Sequence, residues 1–350
     1  MHRSELHAFR VDTVVEGLER PWGMAFLPGG DVLVTERPGR LRIIRGGRLE
    51  PQPIEGVPAV SARGQGGLLD VALHPSFATN RWVYLTYSKP GAEGATTALV
   101  RGQLEGNRLT NVQELLEAKA WGRGGAHFGS RLVFDRAGML YMTIGDRGEM
   151  HRAQDLAQHT GKTLRLHDDG RVPTDNPFVG RSNVLPEIFT YGNRSPQGLT
   201  LHPTTGELYQ TEHGARGGDE LNLMQPGRNY GWPVITWGIN YNGEKISDIQ
   251  EKEGMEQPLY YWVPSIGTAG LAIYNGDKFP QWRGDVFVGG MVGEQVVRLR
   301  FDQNKRRTGL EKLLQGYGRI RDVRSAPDGF IYLLIDQPRS AVVRLMPATT

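Results

Sequence analysis

Leu132-Val133-Phe134-Asp135, a short turn, and then Met139-Leu140-Tyr141-Met142 read as two apolar strands joined by a tight reversal. The unit recurs five more times. Met24-Ala25-Phe26-Leu27-Pro28-Gly29-Gly30 runs into Val32-Leu33-Val34-Thr35, Val71-Ala72-Leu73-His74-Pro75 into Trp82-Val83-Tyr84-Leu85, and Leu199-Thr200-Leu201-His202-Pro203 into Glu207-Leu208-Tyr209-Gln210. Leu271-Ala272-Ile273-Tyr274 precedes Val286-Phe287-Val288, and Val323-Arg324-Ser325-Ala326-Pro327-Asp328-Gly329 precedes Ile331-Tyr332-Leu333-Leu334. β-branched and aromatic side chains suit a pleated, half-buried surface, and Pro, Gly and Asp suit the reversal, so the six copies predict antiparallel hairpins. Their uneven spacing, roughly 45 to 75 residues, is that of propeller blades with loop insertions.

At 350 residues the chain exceeds the size at which one core keeps growing, so it must divide into domains or repeat a small unit around an axis. A radial array of short sheets leaves few exposed edges. The expectation is an all-β, six-bladed β-propeller of four-stranded antiparallel sheets, a single domain over residues 1–350. Arg10 to Val15 would pair beside Ala341 to Leu345 to close the last blade. Two sandwich domains are the alternative, and the lack of a Pro/Ser-rich linker near the middle counts against them. Helical periodicity is nearly absent; the best candidate, Asn111 to Ala120, reads equally as strand and loop.

Basic residues (41) barely exceed acidic ones (38) and are scattered, which argues against a nucleic-acid partner. The absence of cysteine removes thiol catalysis, disulfides and cysteine-ligated zinc together. No segment has the apolar length of a membrane span. Met1-His2-Arg3-Ser4-Glu5-Leu6 lacks the apolar core of a secretory leader, so the expectation is either a cytoplasmic protein or one whose leader has been removed.

Chemistry-bearing residues fall in phase with the repeat. Gly125-Ala126-His127-Phe128-Gly129 puts an imidazole at the mouth of one strand, and Ile144-Gly145-Asp146 puts a carboxylate at the end of the next strand of the same hairpin. That is a base with an orienting partner, or else a hydrogen-bonded surface loop. Gln65, Arg194, Gln197, Arg319 and Arg321 each also precede the first strand of their unit, which directs them all to one rim. Glycines in Thr211 to Leu223 free carbonyls to face a cation, and Asp219 and Glu220 add hard oxygens that suit Ca²⁺; a solvated acidic turn is the other reading.

The segments His127 to Gly148, Gly161 to Leu166, Asp175 to Phe178, Arg194 to Leu199, His213 to Leu223, Asn229-Tyr230-Gly231-Trp232-Pro233 and Arg319 to Asp322 follow one another in this order. From about Leu18 to the C-terminus the chain resembles the soluble aldose sugar dehydrogenases that use pyrroloquinoline quinone (PQQ), relatives of soluble glucose dehydrogenase. The resemblance implies a six-bladed propeller that holds PQQ and Ca²⁺ on one face and oxidises the anomeric hydroxyl of aldose sugars to lactones, passing electrons to an external acceptor, with periplasmic or secreted residence. It implies His127 as the base, Asp146 as its orienting carboxylate, and Arg194 as the cation that polarises the quinone. Arg319 and Arg321 match an arginine pair for the quinone carboxylates, and Gln65, Ser195 and Gln197 match its polar contacts. The carbonyls of Gly214 and Ala215 match the ligands of the cofactor's Ca²⁺; Glu220 and the carbonyl of Tyr230 match a second, structural Ca²⁺ site.

The chain departs from the family pattern in three places. Ser195 replaces an asparagine, Ala215 replaces a proline, and Gly289-Gly290-Met291-Val292-Gly293-Glu294 lacks the fifth-blade lysine that soluble glucose dehydrogenase brings to the quinone. Trp22, Trp82, Trp232 and Trp282 are expected to pack between blades, Trp262 to do so or to touch a ligand, and His74, His202 and His213 to be structural turn residues. Two other functions remain open from the residues: a Ca²⁺-dependent lactonase propeller, and a non-catalytic ligand-binding propeller.

Overall fold

A computed structural model describes residues 1–348. The chain winds through six antiparallel sheets, the first five built wholly in sequence order from the axis outward and the sixth completed by N-terminal strands. The first holds Pro21–Phe26, Val32–Glu36, Arg40–Arg45 and Arg48–Leu49; the second Leu68–Leu73, Trp82–Gly91, Gly94–Glu105 and Arg108–Glu117. The third holds Leu132–Phe134, Leu140–Ile144, Lys162–Leu166 and Ile188–Tyr191; the fourth Ser195–Leu201, Leu208–His213, Asp219–Met224 and Tyr260–Trp262. The fifth holds Thr268–Ile273, Val286–Gly290, Gln295–Phe301 and Arg307–Leu313; the sixth Ile320–Ser325, Ile331–Ile335 and Ser340–Pro347. The innermost strands touch one another in unbroken succession from sheet one to sheet six and back to sheet one, so the array is a closed six-bladed β-propeller.

Backbone hydrogen bonds from the N-terminal strand close the ring. Ala8–Leu18 pairs antiparallel with Ser340–Pro347, with Val11 opposite Leu345 and Thr13 opposite Val343, the partnership the sequence predicts. One strand was not foreseen. His2–Arg3 folds back onto Ala8–Leu18 and makes the closing blade five-stranded. The ambiguous Asn111 to Ala120 segment is resolved as strand as far as Glu117. No helix among the described residues is long and apolar enough to cross a membrane.

Apolar faces of neighbouring blades pack on each other in clusters that each draw on adjacent sheets; Leu33, Leu41, Leu68 and Val83, for example, join blades one and two. Trp282 is fully buried, stacked on Phe279 at 4.4 Å and edge-on to Phe9, where blade five meets the N-terminal strand. Trp82 lies under the Arg101 guanidinium at 4.3 Å. Trp262 is buried at the outer edge of blade four, edge-on to Tyr260, in a cluster with blade-five residues, and does not face the axis.

The axis itself is charged. Arg131, 1% exposed, pairs with Asp70 of blade two at 3.2 Å and Asp322 of blade six at 3.1 Å, donates to the Gln197 carbonyl of blade four at 2.9 Å, and lies 4.2 Å from the Trp22 ring of blade one. Arg324 pairs with the same two carboxylates. Removing one member of such a buried set strands the others without counter-charge. Arg131→Met should therefore lower the unfolding free energy by about 3 kcal/mol in urea titrations at an unchanged m-value. A loss below about 1 kcal/mol would mean that Arg324 alone neutralises the axis.

Candidate functional site

The base and its carboxylate are brought together by a close approach of two backbones. His127 takes a left-handed conformation at φ 53°, and its carbonyl packs on Gly145 so closely that any Cβ there would collide with it. Gly145 is thus required by the geometry, and it delivers the next residue, Asp146, to the imidazole. His127 Nδ1 and Asp146 Oδ1 are 2.6 Å apart, and the His127 backbone N–H donates to Gln65 Oε1 at 2.9 Å. Asp146 Oδ1 also accepts from the Gly148 N–H, and Oδ2 accepts from the Trp232 indole at 2.8 Å. Burial opposes ionisation of Asp146, but the hydrogen bond and charge of His127, the Gly148 amide and the charge of Arg194 more than offset it and hold the carboxyl below its ordinary range. An ionised Asp146 only accepts, so Nδ1 carries the proton and the Nε2 lone pair is left as the basic atom. With 13% of its side chain exposed, His127 is reachable.

Arg194 stands beside this pair. Its carbonyl accepts from the Asp146 N–H at 2.8 Å, its own N–H donates to Glu212 Oε2 at 2.6 Å, and its guanidinium donates to the carbonyls of Gly214 and His213. The guanidinium also lies 5.4 Å from the Trp232 ring and 5.9 Å from that of Tyr241. Gln197, Ser195 and Arg321 form the other side: Gln197 Nε2 reaches Ser195 Oγ at 3.3 Å and Oε1 accepts from Arg321 at 3.0 Å. Gln65, Phe128, Gln197, Arg321 and Trp22 line one cavity next to the axis. Gln65, His127, Asp146, Arg194, Ser195, Gln197 and Arg321 therefore converge. Arg319 does not join them directly; it is exposed, with one long contact to the Met291 carbonyl at 3.4 Å.

A second cavity, lined by Arg194, Glu212, His213, Gly214, Glu220, Tyr230 and Trp232, is rich in acceptors. Glu212 and Glu220 face each other across one ladder position. Burial raises the Glu212 carboxyl to about 7 against the pull of the Arg194 N–H, Asn193 and the Arg194 charge, and desolvation followed by the Glu212 charge pushes Glu220 well above its usual range. Asn193 Oδ1 and Asn222 Oδ1 are buried here without a donor. Unpartnered oxygens and crowded carboxyls are the donor set of a hard cation, so Glu220 and its neighbours fit Ca²⁺. The Gly214 carbonyl is already engaged by Arg194, so a cation there would use its second lone pair. Among the described residues no three His, Asp or Glu side chains cluster as a metal site, which leaves backbone and amide oxygens to complete any coordination.

Three sequence expectations change. Asp219 is not free to bind metal, because its carboxylate accepts from the Gly214, Ile266 and Thr268 N–H groups and from Ser265 Oγ and so staples two loops. Trp232 is no inter-blade filler; its indole holds Asp146, and its carbonyl and the preceding Asn229 are clamped by Gln154. His213 ends a strand inside the second cavity, where burial and then the charges of Arg321, Arg194 and His127 keep its imidazole neutral. Glu212, Asn193 and Asn222 were missed entirely. Only a buried carboxylate within a strand could have flagged Glu212; for Trp232 the polar N–H was the available signal.

Trp232→Phe keeps an aromatic ring but deletes the donor to Asp146 together with the pyrrole part of the indole, which should cost at least about 1–2 kcal/mol of unfolding free energy; a change under about 0.5 kcal/mol would show that the bond contributes nothing. Because the Asp146 pKa is depressed by folding, its contribution is complete above the unfolded carboxyl value near about 4 and is lost as pH falls through the lower folded value. Asp146→Asn should flatten that acid limb of the stability–pH curve, leaving the limb above about pH 5 parallel to wild type.

Residues 18–344 match the family described as glucose / sorbosone dehydrogenase. Aldose sugar dehydrogenase YliI of Escherichia coli is 42% identical over 343 residues, covering 96% of this chain and 92% of its own. The solved apo-form of the soluble aldose sugar dehydrogenase from Escherichia coli superposes with a TM-score of 0.93 at 40% identity, over 97% of this chain and all (100%) of that one. The PQQ-bound aldose sugar dehydrogenase from Streptomyces coelicolor does so with a TM-score of 0.81 at 28% identity, over 97% and 98%. By profile, by sequence identity and by fold, the chain belongs to the glucose / sorbosone dehydrogenase family.

Proposed function

We propose that this protein is a quinoprotein oxidoreductase that oxidises the C1 hydroxyl of aldose sugars to lactones with PQQ and Ca²⁺. The observation that carries the reading is the imidazole held at 2.6 Å by an ionised carboxylate, with Arg194 beside it and Arg321 and Gln197 across the same rim. PQQ, when bound, supplies the hydride acceptor, and Ca²⁺ supplies Lewis acidity. His127 Nε2 takes the C1 hydroxyl proton, and Asp146 stabilises the imidazolium that results without taking the proton itself. Arg194 would offer a fixed positive charge to an electron acceptor bound beside His127, and would need no reorganisation to do so because two carbonyls hold it. Arg319, Arg321, Gln65, Ser195 and Gln197 would hold the cofactor; the buried Arg321 Nε has no acceptor of its own to satisfy it. Gly214 and Ala215 would bind the cofactor's Ca²⁺, and Glu220 with the Tyr230 carbonyl the second ion. The same reading includes an external electron acceptor and residence in the periplasm or outside the cell.

Apo-protein should reduce an artificial electron acceptor with glucose only when both PQQ and Ca²⁺ are added, and His127→Ala should lower kcat by about 10²–10⁴-fold. Cofactor-independent lactone hydrolysis would favour a hydrolase instead, and silence in both assays a binding propeller. Ca²⁺ alone should raise the thermal midpoint reversibly with chelator, and Glu220→Gln should lose part of that rise; an unchanged midpoint in wild type would remove the second ion from the proposal.

A further inference from the structure

Blades six and one place four guanidiniums on the active rim around one carboxylate. Arg321 donates to Asp336 Oδ2 at 2.6 Å, and Arg20 Nη1 lies 3.7 Å from Asp336 Oδ1 with its side chain 45% exposed. Arg37 donates to the Gly64 and Gly66 carbonyls, which fix it but leave its charge uncompensated. Arg319 is exposed and meets only the Met291 carbonyl. Neither Arg37 nor Arg319 has a carboxylate within ion-pair distance among the described residues. Backbone bonds lock these loops together: Arg37 N–H to the Arg20 carbonyl, Arg20 N–H to that of Gln337, and Asp336 N–H to that of Arg319. Arg20 is held in the left-handed region at φ 43°, an uncommon conformation for a non-glycine residue, retained where the surroundings over-determine it.

These charges repel. Burial first, and then Arg321, Arg20 and Arg319 against the single pull of Asp336, lower the pKa of Arg37. A solvated arginine cluster would spread apart; this one is pinned through its backbone, with Arg321 lining the small cavity it shares with Trp22, Gln65 and Gln197 and Arg37 bonded to the glycines on either side of Gln65. Arg321 is largely spent on Asp336 and Gln197, so the unspent attraction for an anion lies with Arg20 and Arg319. The fifth-blade turn offers no cation of its own; Val292 stands there, 67% exposed.

We propose that Arg20, acting with Arg319 across Asp336, binds a carboxylate of a planar polycarboxylate held on this rim, with Arg37 as a fixed charge behind them. The inference rests on the PQQ reading above and adds Arg20 and Arg37 to its anion site. A guanidinium fork meets a carboxylate through two parallel N–H bonds, which a lysine ammonium cannot reproduce.

Equilibrium titration of the apo-protein with PQQ in the presence of Ca²⁺, read by tryptophan fluorescence and calorimetry without turnover, tests this. Arg20→Ala should weaken binding about tenfold and reduce its salt dependence, Arg20→Lys should recover part of the loss, and Arg48→Ala, an equal charge lost from the outer edge of blade one, should bind as wild type. Equal affinity of wild type and Arg20→Ala would overturn the proposal while leaving the PQQ reading intact. If wild type itself fails to bind PQQ, both fall. Equal weakening by Arg48→Ala would show a general charge effect and also overturn it.

Discussion

Everything on the active rim depends on how the axis is filled. A ring of six sheets can close around a dry apolar plug or around charge, and this chain uses charge: the fully buried Arg131 and the partly exposed Arg324 against the buried Asp70 and Asp322. Taking such groups out of water costs several kcal/mol each, so the arrangement is a poor means of gaining stability and a good one for fixing orientation. Its hydrogen bonds leave the axis toward the site. The Arg131 guanidinium holds the Gln197 carbonyl, and the Leu132 N–H holds Asp70, so the strand behind His127 and the one carrying Gln197 are registered against the same buried charges.

The site uses the same economy of fixed contacts. The His127 backbone rests on Gly145, which brings Asp146 to the imidazole; Trp232 then closes the outer oxygen of Asp146, and the reciprocal Gln154–Asn229 amide pair holds the loop carrying Trp232. A carboxylate with only acceptor capacity, saturated on both oxygens, cannot rotate away from the base it orients.

The hairpins were legible because a period-two pattern of β-branched and aromatic residues interrupted by Pro, Gly and Asp has few other solutions, and the phase of Gln65, His127 and Arg194 ahead of a first strand indicated which end of the ring carries chemistry; Gln197 and Arg321, expected to precede theirs as well, lie within the opening residues of Ser195–Leu201 and Ile320–Ser325. The fifth strand of the closing blade, His2–Arg3, was illegible because two residues carry no period. Asp219 and Trp232 were misread for a common reason: sequence gives residue type, and not whether a carboxylate is already saturated by amides or an indole N–H has a carboxylate to meet. Glu212 escaped because a charged side chain inside an apolar strand ordinarily marks the solvent face. Here the strand is interior and the charge is met by Asn193, Asn222 and the Arg194 N–H.

The two arginines of the final blade show where motif and physics part. Spacing makes Arg319 and Arg321 a pair, alternate residues at the start of one strand. Burial makes them unlike: Arg321 is enclosed and already shares its charge with Asp336, whereas Arg319 is exposed and meets no carboxylate among the described residues. A rim that spends one arginine on its own scaffold must draw attraction for an anionic ligand from others, and the left-handed Arg20 and carbonyl-pinned Arg37 are the cations that the ring's closure brings to that place. Their position depends on blade six meeting blade one, so anion affinity and completion of the ring are parts of one constraint: a chain that fails to zip Ala8–Leu18 onto Ser340–Pro347 loses the register of Arg20 against Asp336 along with the propeller.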